Sequence, residues 1–277
     1  MKILINFSLF DGKMPTLKER LQLAKKYHFD AIECFPNEII DYGIQNTLDA
    51  ISETGITIAS CMIPFQPTEI SEEVFHEEMS KFAMMAIAME KIGVIFCSSF
   101  IRSSNDQYKY EEYFDLNVKR WGAVASLLKK HGMKLSLEFL GPKTSQMKKK
   151  YPFVRTAEEL LPLCKAIGDN VGITFDFWHW YSGSNNKEVF KHIEGVKNIY
   201  CVHLNDACVG DVDTLPDKPR KLVRTSGVID AEFLIQKLKE YNYDGYFLSE
   251  SFDECLKGLP LEEKLKKIKE TIDAALK

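Results

Sequence analysis

Short apolar runs alternate with amphipathic stretches eight times along this chain of 277 residues. The apolar runs predict strands near 2–7, 30–35, 56–62, 93–98, 133–139, 171–177, 199–205 and 245–251. The amphipathic stretches predict helices near 16–27, 44–54, 72–90, 112–131, 157–166, 187–195, 231–240 and 261–276. Eight such units without a long linker predict an α/β fold, a (β/α)₈ TIM barrel that forms one domain over residues 1–277.

Glycines between the units support this alternation. Gly55, Gly93 and Gly132 each follow a predicted helix and precede a predicted strand. Because glycine adopts positive φ at low cost, each can end its helix. An open doubly wound sheet is the alternative, and it is weaker because no glycine-rich phosphate loop follows the first strand.

Four of the predicted strands end in a side chain that can bind a metal ion. The segments are 135–138, 173–176, 200–203 and 246–250, which end in Glu138, Asp176, His203 and Glu250. In a parallel barrel the carboxyl ends of all strands open onto one face, where the loops build the site. These four side chains are therefore predicted to converge on one point.

Three carboxylates and one imidazole favour a hard or borderline divalent cation. Mn²⁺ is the first expectation, and Mg²⁺, Co²⁺ or Zn²⁺ would suit the same donors. A single acidic residue at a strand end is more often a loop cap, and a lone histidine can simply be half-buried. The joint pattern favours a metal site, because a carboxylate inside a run such as Leu137-Glu138-Phe139 is costly to bury without a cation or partner.

Two glutamates on opposite sides of a cation can move a proton beside a carbonyl group. The metal stabilises the enediolate of a ketose, while one glutamate removes the α proton and the other delivers a proton across the plane. Glu138 and Glu250 are the predicted catalytic pair. Their strands, the fifth and eighth, are not adjacent in a closed barrel and can face each other across it.

The motifs Leu-Glu138-Phe-Leu-Gly, Asp176-Phe-Trp-His179, Val-His203-Leu-Asn-Asp206-Ala and Ser-Glu250-Ser-Phe resemble the sugar phosphate isomerase/epimerase family of xylose isomerase-like barrels. The resemblance covers most of the chain and is strongest from residue 130 onward. The inositol-type (inosose) isomerases are the most similar members, through the same motifs and Gly183-Ser184-Asn185. The resemblance implies that the four strand-end residues bind the metal and that both glutamates serve as acid and base.

The resemblance also implies two contacts to substrate. One is His179, and the other is an arginine of the loop after the seventh strand. In that loop this chain departs from its relatives, because residues 219–230 lack their Pro-Gly pair. Spacing back from Gly227 makes Arg220 the best match, with Lys221 and Arg224 as alternatives.

Several further residues have more than one candidate role. Trp178 and Trp180 could form an apolar wall against the carbon face of a sugar, or pack within the barrel. Glu33 could orient a water, close the floor of the site, or have a structural role. Asp206 is expected to support the loop or a ligand rather than bind the cation. Lys143 is expected to be a solvated loop lysine rather than a contact to a substrate phosphate or carboxylate.

Charge and cysteine content narrow the class of protein. The net charge of −4 argues against a nucleic-acid partner, and the basic run at 148–150 is expected to be a solvated loop. The seven cysteines form no CxxC pair, and several lie in apolar runs, which indicates a reducing compartment. No targeting segment precedes the first strand and no apolar run approaches ~20 residues, so we expect a cytoplasmic protein without a membrane partner.

These features predict a metal-dependent isomerase or epimerase of a small sugar, ketose or keto-inositol, with loops 140–153 and 206–227 covering the substrate. A dehydratase that uses the same site is the alternative. An AP endonuclease-like phosphodiesterase would need several more histidines at strand ends, where only His179 and His203 lie. A non-catalytic barrel would be expected to lack one or more of the metal-binding residues, whereas all four candidates are present. The expected partner is a small sugar or polyol, and a homo-oligomer is left as an alternative to a monomer.

Overall fold

Eight parallel strands close into a barrel in the computed structural model, which describes residues 1–277. The strands are β1 (Lys2–Asn6), β2 (Ala31–Cys34), β3 (Thr57–Met62), β4 (Phe96–Ile101), β5 (Lys134–Phe139), β6 (Val171–Asp176), β7 (Ile199–Leu204) and β8 (Tyr246–Ser249). Each strand pairs with the next in the chain, and β8 pairs with β1 to close the barrel. The predicted (β/α)₈ barrel is confirmed, and the open doubly wound sheet is wrong.

Helices surround the barrel. They are α1 (Leu17–Lys26), α2 (Pro36–Tyr42), α3 (Ile44–Thr54), α4 (Glu72–Ile92), α5 (Tyr110–Lys130), α6 (Lys143–Gln146), α7 (Ala157–Ile167), α8 (Phe177–Gly183), α9 (Val189–His192), α10 (Ala231–Glu240) and α11 (Leu261–Leu276). Single 3₁₀ turns lie at Phe7–Leu9, Pro67–Glu69 and Glu254–Leu256. None of the helices is both long enough and apolar enough to cross a membrane.

Local sequence explains where these helices begin and end. Thr16 and Thr156 cap α1 and α7, and each accepts a backbone N–H three residues on, from a glutamate whose side chain returns the bond. Gly55, Gly93 and Gly132 have φ of 74°, 82° and 71°, as the prediction of helix-ending glycines requires.

The helix prediction over 187–195 is wrong in length, because only one turn, α9, forms there. Two residues with positive φ, Glu194 and Gly195, end the segment before a second turn can form. The chain also forms three short helices that the pattern did not predict, α2, α6 and α8. Each follows the carboxyl end of a strand, so all three lie on the face where the site is expected.

The interior of the barrel changes from apolar to polar along the strand direction. Its apolar part holds Leu4, Ala31, Ala59, Phe96, Cys201, Tyr246 and Leu248. Further along, the Glu33 carboxylate accepts hydrogen bonds from Asn6 Nδ2 at 2.8 Å, Ser60 Oγ at 2.7 Å and Ser98 Oγ at 2.7 Å. Because three donors satisfy it, Glu33 forms a fixed polar floor beneath the carboxyl-end face.

Two small pairings hold the long loops on that face. Residues Ser104–Asn105 and Tyr151–Pro152 pair antiparallel and join the loop after β4 to the loop after β5. In the loop after β7, Asp206 and Lys221 form an antiparallel bridge, with both N–H···O distances at 2.8 Å. The bridge folds residues 206–221 back over the carboxyl ends of the strands.

Candidate active site

Glu138, Asp176, His203 and Glu250 come together at the carboxyl-end face of the barrel. One ligand atom from each lies within 4.8 Å of the others. Glu138 belongs to β5, Asp176 is the last residue of β6, His203 belongs to β7, and Glu250 directly follows β8. The structure thus places four strand ends that are up to 112 residues apart in the chain around one point.

One imidazole nitrogen faces all three carboxylates. The Nδ1 atom of His203 lies 2.9 Å from Glu138 Oε1, 3.2 Å from Glu250 Oε2 and 3.8 Å from Asp176 Oδ2. Nδ1 carries at most one proton, and only Glu250 meets the geometry of a hydrogen bond with it. The buried Oε1 atom of Glu138 is left without a hydrogen-bond partner.

This cluster fits a divalent cation. A buried carboxylate oxygen without a partner is unfavourable, and a cation bound between the four side chains would satisfy it. Three carboxylates and one imidazole are donors that suit Mn²⁺, Mg²⁺, Co²⁺ and Zn²⁺. That these residues bind a metal stays a prediction, and the donor set does not select one ion among the four.

Crowding moves the pKa values of the cluster in different directions. Burial, followed by the negative charge of Glu250, raises the pKa of Glu138 to about 8. Burial also disfavours the ionised form of Glu250, but Arg220 and His203 outweigh it and hold the pKa of Glu250 well below its usual value. Burial opposes protonation of His203, yet the neighbouring carboxylates raise its pKa well above the usual value.

Binding of a cation is therefore expected to release protons. The raised pKa values mean that Glu138 and His203 hold protons at neutral pH without metal, and a metal ligand must be deprotonated. Apparent affinity for Zn²⁺ should rise with pH and begin to level off once Glu138 ionises, near pH 8. Calorimetric titration in buffers of different ionisation enthalpy measures the protons released. Zero release between pH 6 and 7, where both groups should be protonated, would contradict the assignment.

Arg220 is the basic residue of the loop after β7 that contacts the cluster. It is 2% exposed. Its Nη1 lies 2.5 Å from Glu250 Oε2 and 3.2 Å from Asp176 Oδ2, and its Nη2 lies 2.8 Å from Asp217 Oδ1. The two alternatives point elsewhere, since Lys221 pairs with Asp253 and Arg224 pairs with Glu232.

His179 lies next to Arg220 and is fully buried. The Gly141 N–H points at His179 Nδ1 at 3.2 Å, and Arg220 Nη2 lies 3.1 Å from His179 Nε2. A neutral imidazole has one nitrogen that can accept, so only one of these two donors can bond to the ring at a time. Burial and the Arg220 charge lower the pKa of His179, which keeps the ring neutral.

Glycine at position 141 allows this arrangement. A Cβ atom there would lie 2.0 Å from the backbone oxygen of His179 and 2.7 Å from Ser182 Oγ. Only a residue without a side chain lets the backbone after β5 approach α8 so closely. Gly141, the glycine of the Leu-Glu-Phe-Leu-Gly motif, is therefore needed for this close approach of the backbone to α8.

Asn205 is a site residue that the sequence reasoning missed. Its Nδ2 donates to Asp176 Oδ2 at 2.7 Å, and its Oδ1 accepts the Trp178 N–H at 2.7 Å. It therefore fixes both the Asp176 carboxylate and the start of α8. The sequence feature that could have indicated Asn205 as a site residue is its position two residues after His203, at the end of a strand.

Asp206 supports the loop rather than the cation cluster, in line with its expected role. Its carboxylate accepts the backbone N–H groups of Ser226, Gly227 and Ile229 at 2.8–3.0 Å. These bonds hold the loop that carries Arg220 against the end of β7.

The remaining candidates lie away from the cluster. Trp178 is 2% exposed and packs in the core, where its Nε1 has no partner. Trp180 is also buried, and its Nε1 donates to the Asn186 carbonyl at 3.1 Å. Lys143 pairs at the surface with Asp213 at 2.7 Å. Trp178 therefore packs in the core, and Lys143 is a surface lysine at the start of α6.

A cavity of about 290 Å³ is lined by three of the four clustered residues, and the fully buried Asp176 is not among its lining residues. Glu138, Thr174, His203, Leu248 and Glu250 line one side of it. The side formed by β1–β4 and the segments that follow them consists of Asn6, Leu9, Glu33, Phe35, Met62, Ile63, Gln66, Ser98, Ser99 and Phe100. Larger surface grooves lie elsewhere, but they contain none of the four clustered residues. This size suits a small molecule.

A closed parallel barrel with a carboxylate–imidazole cluster at its carboxyl-end face defines a class of α/β barrels with a candidate divalent-cation site. The chain belongs to the xylose isomerase-like TIM barrel family, whose profile matches residues 21–275. The resemblance inferred from the four motifs is thereby confirmed at the level of the family.

Curated and solved proteins with the same architecture are distant in sequence. An inosose isomerase of Bacillus velezensis is 24% identical over 269 residues, which cover 94% of this chain and 92% of that protein. The structure of the IOLI protein with a bound zinc atom has a TM-score of 0.85 at 22% identity, covering 100% and 98% of the two chains. D-Psicose 3-epimerase from Clostridium cellulolyticum H10, solved with D-tagatose, has a TM-score of 0.77 at 13% identity, covering 99% and 98%.

Proposed function

We propose that this protein is a divalent-metal-dependent isomerase or epimerase of a small ketose, sugar or keto-inositol. The observation that carries the proposal is the placement of two glutamates on either side of one imidazole, within a buried set of four metal-type ligands. The inosose isomerase and epimerase relatives support the reaction class. The bound zinc atom of the IOLI protein supports metal dependence.

Glu138, Asp176, His203 and Glu250 would hold the cation. When bound, it would polarise the substrate carbonyl and stabilise negative charge on the adjacent oxygen. Glu138 and Glu250 would take opposite roles, one removing the proton next to the carbonyl and the other returning a proton. They belong to strand ends that are not neighbours in the barrel, so they approach from different sides.

His179 and Arg220 would hold a substrate oxygen. Arg220 Nη2 and His179 Nε2 lie 3.1 Å apart, so a substrate oxygen beside them can accept from Arg220 and, when the ring proton is on Nε2, from His179 as well. Asn205 would keep the Asp176 carboxylate oriented. These side chains fix the reacting end of the substrate, which places its α proton near the two glutamates.

The charges that line the cavity favour a substrate without a phosphate group. Glu33, Glu138 and Glu250 contribute carboxylates to the lining, and the lining contains no lysine or arginine. Away from the cation and Arg220, the cavity lining would offer a phosphate group no basic partner. We therefore propose a neutral polyhydroxylated ketone as the substrate.

A screen of ketoses, keto-inositols and their phosphates, with Mn²⁺ present and in deuterated water, tests the proposal. We expect a neutral compound to react and the product to carry deuterium at the carbon next to the carbonyl. Loss of water from the substrate would instead assign a dehydratase that uses the same site. Turnover of only the phosphorylated compounds would contradict the proposed substrate class, and no reaction with any compound would contradict the proposed activity.

A further inference from the structure

A second cavity adjoins the active site and contains none of the four clustered residues. It measures about 310 Å³ and is formed by the segment after β1 and by the segment that joins β8 to α11, together with one side chain of α11. Its apolar walls are Leu9, Phe10, Phe252 and Leu256. Leu9 lines the active-site cavity as well, so the two cavities meet at this residue.

A buried lysine borders this apolar space. Lys264 lines the cavity from the first turn of α11 and is only 4% exposed. Its one ion pair is with Asp11 Oδ2, at 3.6 Å, which is longer than a hydrogen bond. Because Asp11 also lines the cavity, the ammonium end of Lys264 lies at the cavity rather than behind its wall.

Asp11 compensates the buried ammonium only in part. The Asp11 side chain is 77% exposed, so water screens its attraction to Lys264. An ammonium group is costly to bury without a close partner of opposite charge. A carboxylate held against Lys264 at hydrogen-bonding distance would therefore stabilise this ammonium more than Asp11 does.

The other lining residues determine which anion fits. The Asp253 carboxylate already accepts the backbone N–H groups of Leu222 and Cys255, both at 3.0 Å. Glu254 and Lys257 are exposed, so solvent screens their charges. A phosphate would leave the four apolar walls without a partner. A single carboxylate attached to an apolar body matches both the lysine and the walls.

We propose that this cavity, called the Lys264 cavity below, binds a small organic monocarboxylate with an apolar body. The carboxylate pairs with the Lys264 ammonium, and the body packs against Phe10, Phe252 and Leu256. Asp11 competes for the same ammonium and moves into solvent when the ligand binds, since residues 11–14 are all exposed. This site is independent of the proposed isomerase activity, because it uses no residue of the cation cluster.

Titration with benzoate tests the proposal. Zn²⁺-loaded wild-type protein should bind benzoate, and Lys264→Met should weaken this binding about tenfold or more, because a charge-assisted hydrogen bond is lost. Lys266→Met is the matched control, since Lys266 is exposed on the same helix and does not line the cavity, and it should bind as the wild type does. Ligand-observed NMR gives the dissociation constants.

Two further comparisons examine the carboxylate and its competitor. Benzyl alcohol keeps the ring without the charge, and it should bind the wild type about tenfold more weakly than benzoate does. Asp11→Asn should tighten benzoate binding about two- to fivefold, because it removes the carboxylate that competes for Lys264. Inorganic phosphate should displace benzoate less effectively than an equal concentration of a second aromatic carboxylate, 4-fluorobenzoate.

The outcomes that would overturn the Lys264 cavity are distinct. Equal benzoate affinity in Lys264→Met and the wild type would place the ligand elsewhere, for example on the zinc ion. No benzoate binding to the wild type, equal affinity for benzyl alcohol, or more effective displacement by phosphate would contradict the ligand class. Unchanged or weaker binding in Asp11→Asn would contradict the competition. Melting curves show whether Lys264→Met folds, and if it does not, the Asp11→Asn and benzyl alcohol comparisons decide.

Discussion

Replacing Glu138 or Glu250 by glutamine is expected to lower turnover by about 100-fold or more while the fold persists. Glutamine keeps the size of the side chain and one oxygen donor, but it cannot accept or deliver the transferred proton. Both glutamates lie within hydrogen-bonding distance of His203, at 2.9 Å and 3.2 Å, and each replacement removes one of the two proposed proton carriers. Initial rates on the substrate found in the screen measure the effect.

The control for this experiment is Glu254→Gln. Glu254 lies four residues beyond Glu250, is exposed, and takes no part in the cluster. Its replacement should leave the rate unchanged. Deuterium incorporation and residual Zn²⁺ affinity in the two site variants distinguish loss of the proton carrier from loss of the cation. Full activity in both Glu138→Gln and Glu250→Gln would show that the proton moves by another route.

The barrel and the clustered residues were predictable because the periodic pattern of the strands indicates both the fold and the position of each strand end. An apolar run with a polar residue at its end fixes the strand, and a parallel barrel brings those ends to one face. No knowledge of loop geometry was needed to place the four clustered residues, Glu138, Asp176, His203 and Glu250. Their convergence follows from topology alone, even for Asp176 and Glu250, which lie 74 residues apart.

The loop residues depended on contacts that the sequence does not display. Spacing gave Arg220 only a preference over Lys221 and Arg224. The antiparallel bridge between Asp206 and Lys221 positions Arg220 for the cluster, while Lys221 reaches Asp253. The bridge has no local sequence signature, because its two partners lie 15 residues apart in irregular backbone.

The positions of the tryptophans and of the Gln66–Ser99 contact could not be predicted from the sequence either. Trp178 follows a strand end, where a helix or a turn would point its ring in different directions. The formation of α8 directs it into the core. Gln66 and Ser99 come from separate units, and neither lies in a motif that indicates chemistry. The fold brings them together in the cavity lining, where Gln66 Nε2 donates to Ser99 Oγ at 3.1 Å.

Removal of the metal is expected to lower the melting temperature by roughly 5 °C or more and to abolish activity, with recovery of both on addition of Mn²⁺ or Zn²⁺. A ligand that binds only the folded state stabilises it by about 2.7 kcal/mol at a hundredfold excess over its dissociation constant. For a chain of this size, 1 kcal/mol corresponds to roughly 2–4 °C. Because Glu138 and His203 must release their protons to bind the cation, the stabilisation should be larger at pH 8 than at pH 6.

The variant His203→Gln separates this effect from general metal binding at the surface. It removes the imidazole that faces all three carboxylates, so its melting temperature should respond little to chelator or to added metal. His76→Gln is the matched control, since His76 is exposed on α4 and lies outside the cluster, and it should respond as the wild type does. Scanning calorimetry before and after verified metal removal gives the comparison. An unchanged wild-type melting curve, or an equal response in His203→Gln, would count against a cation held by these four residues.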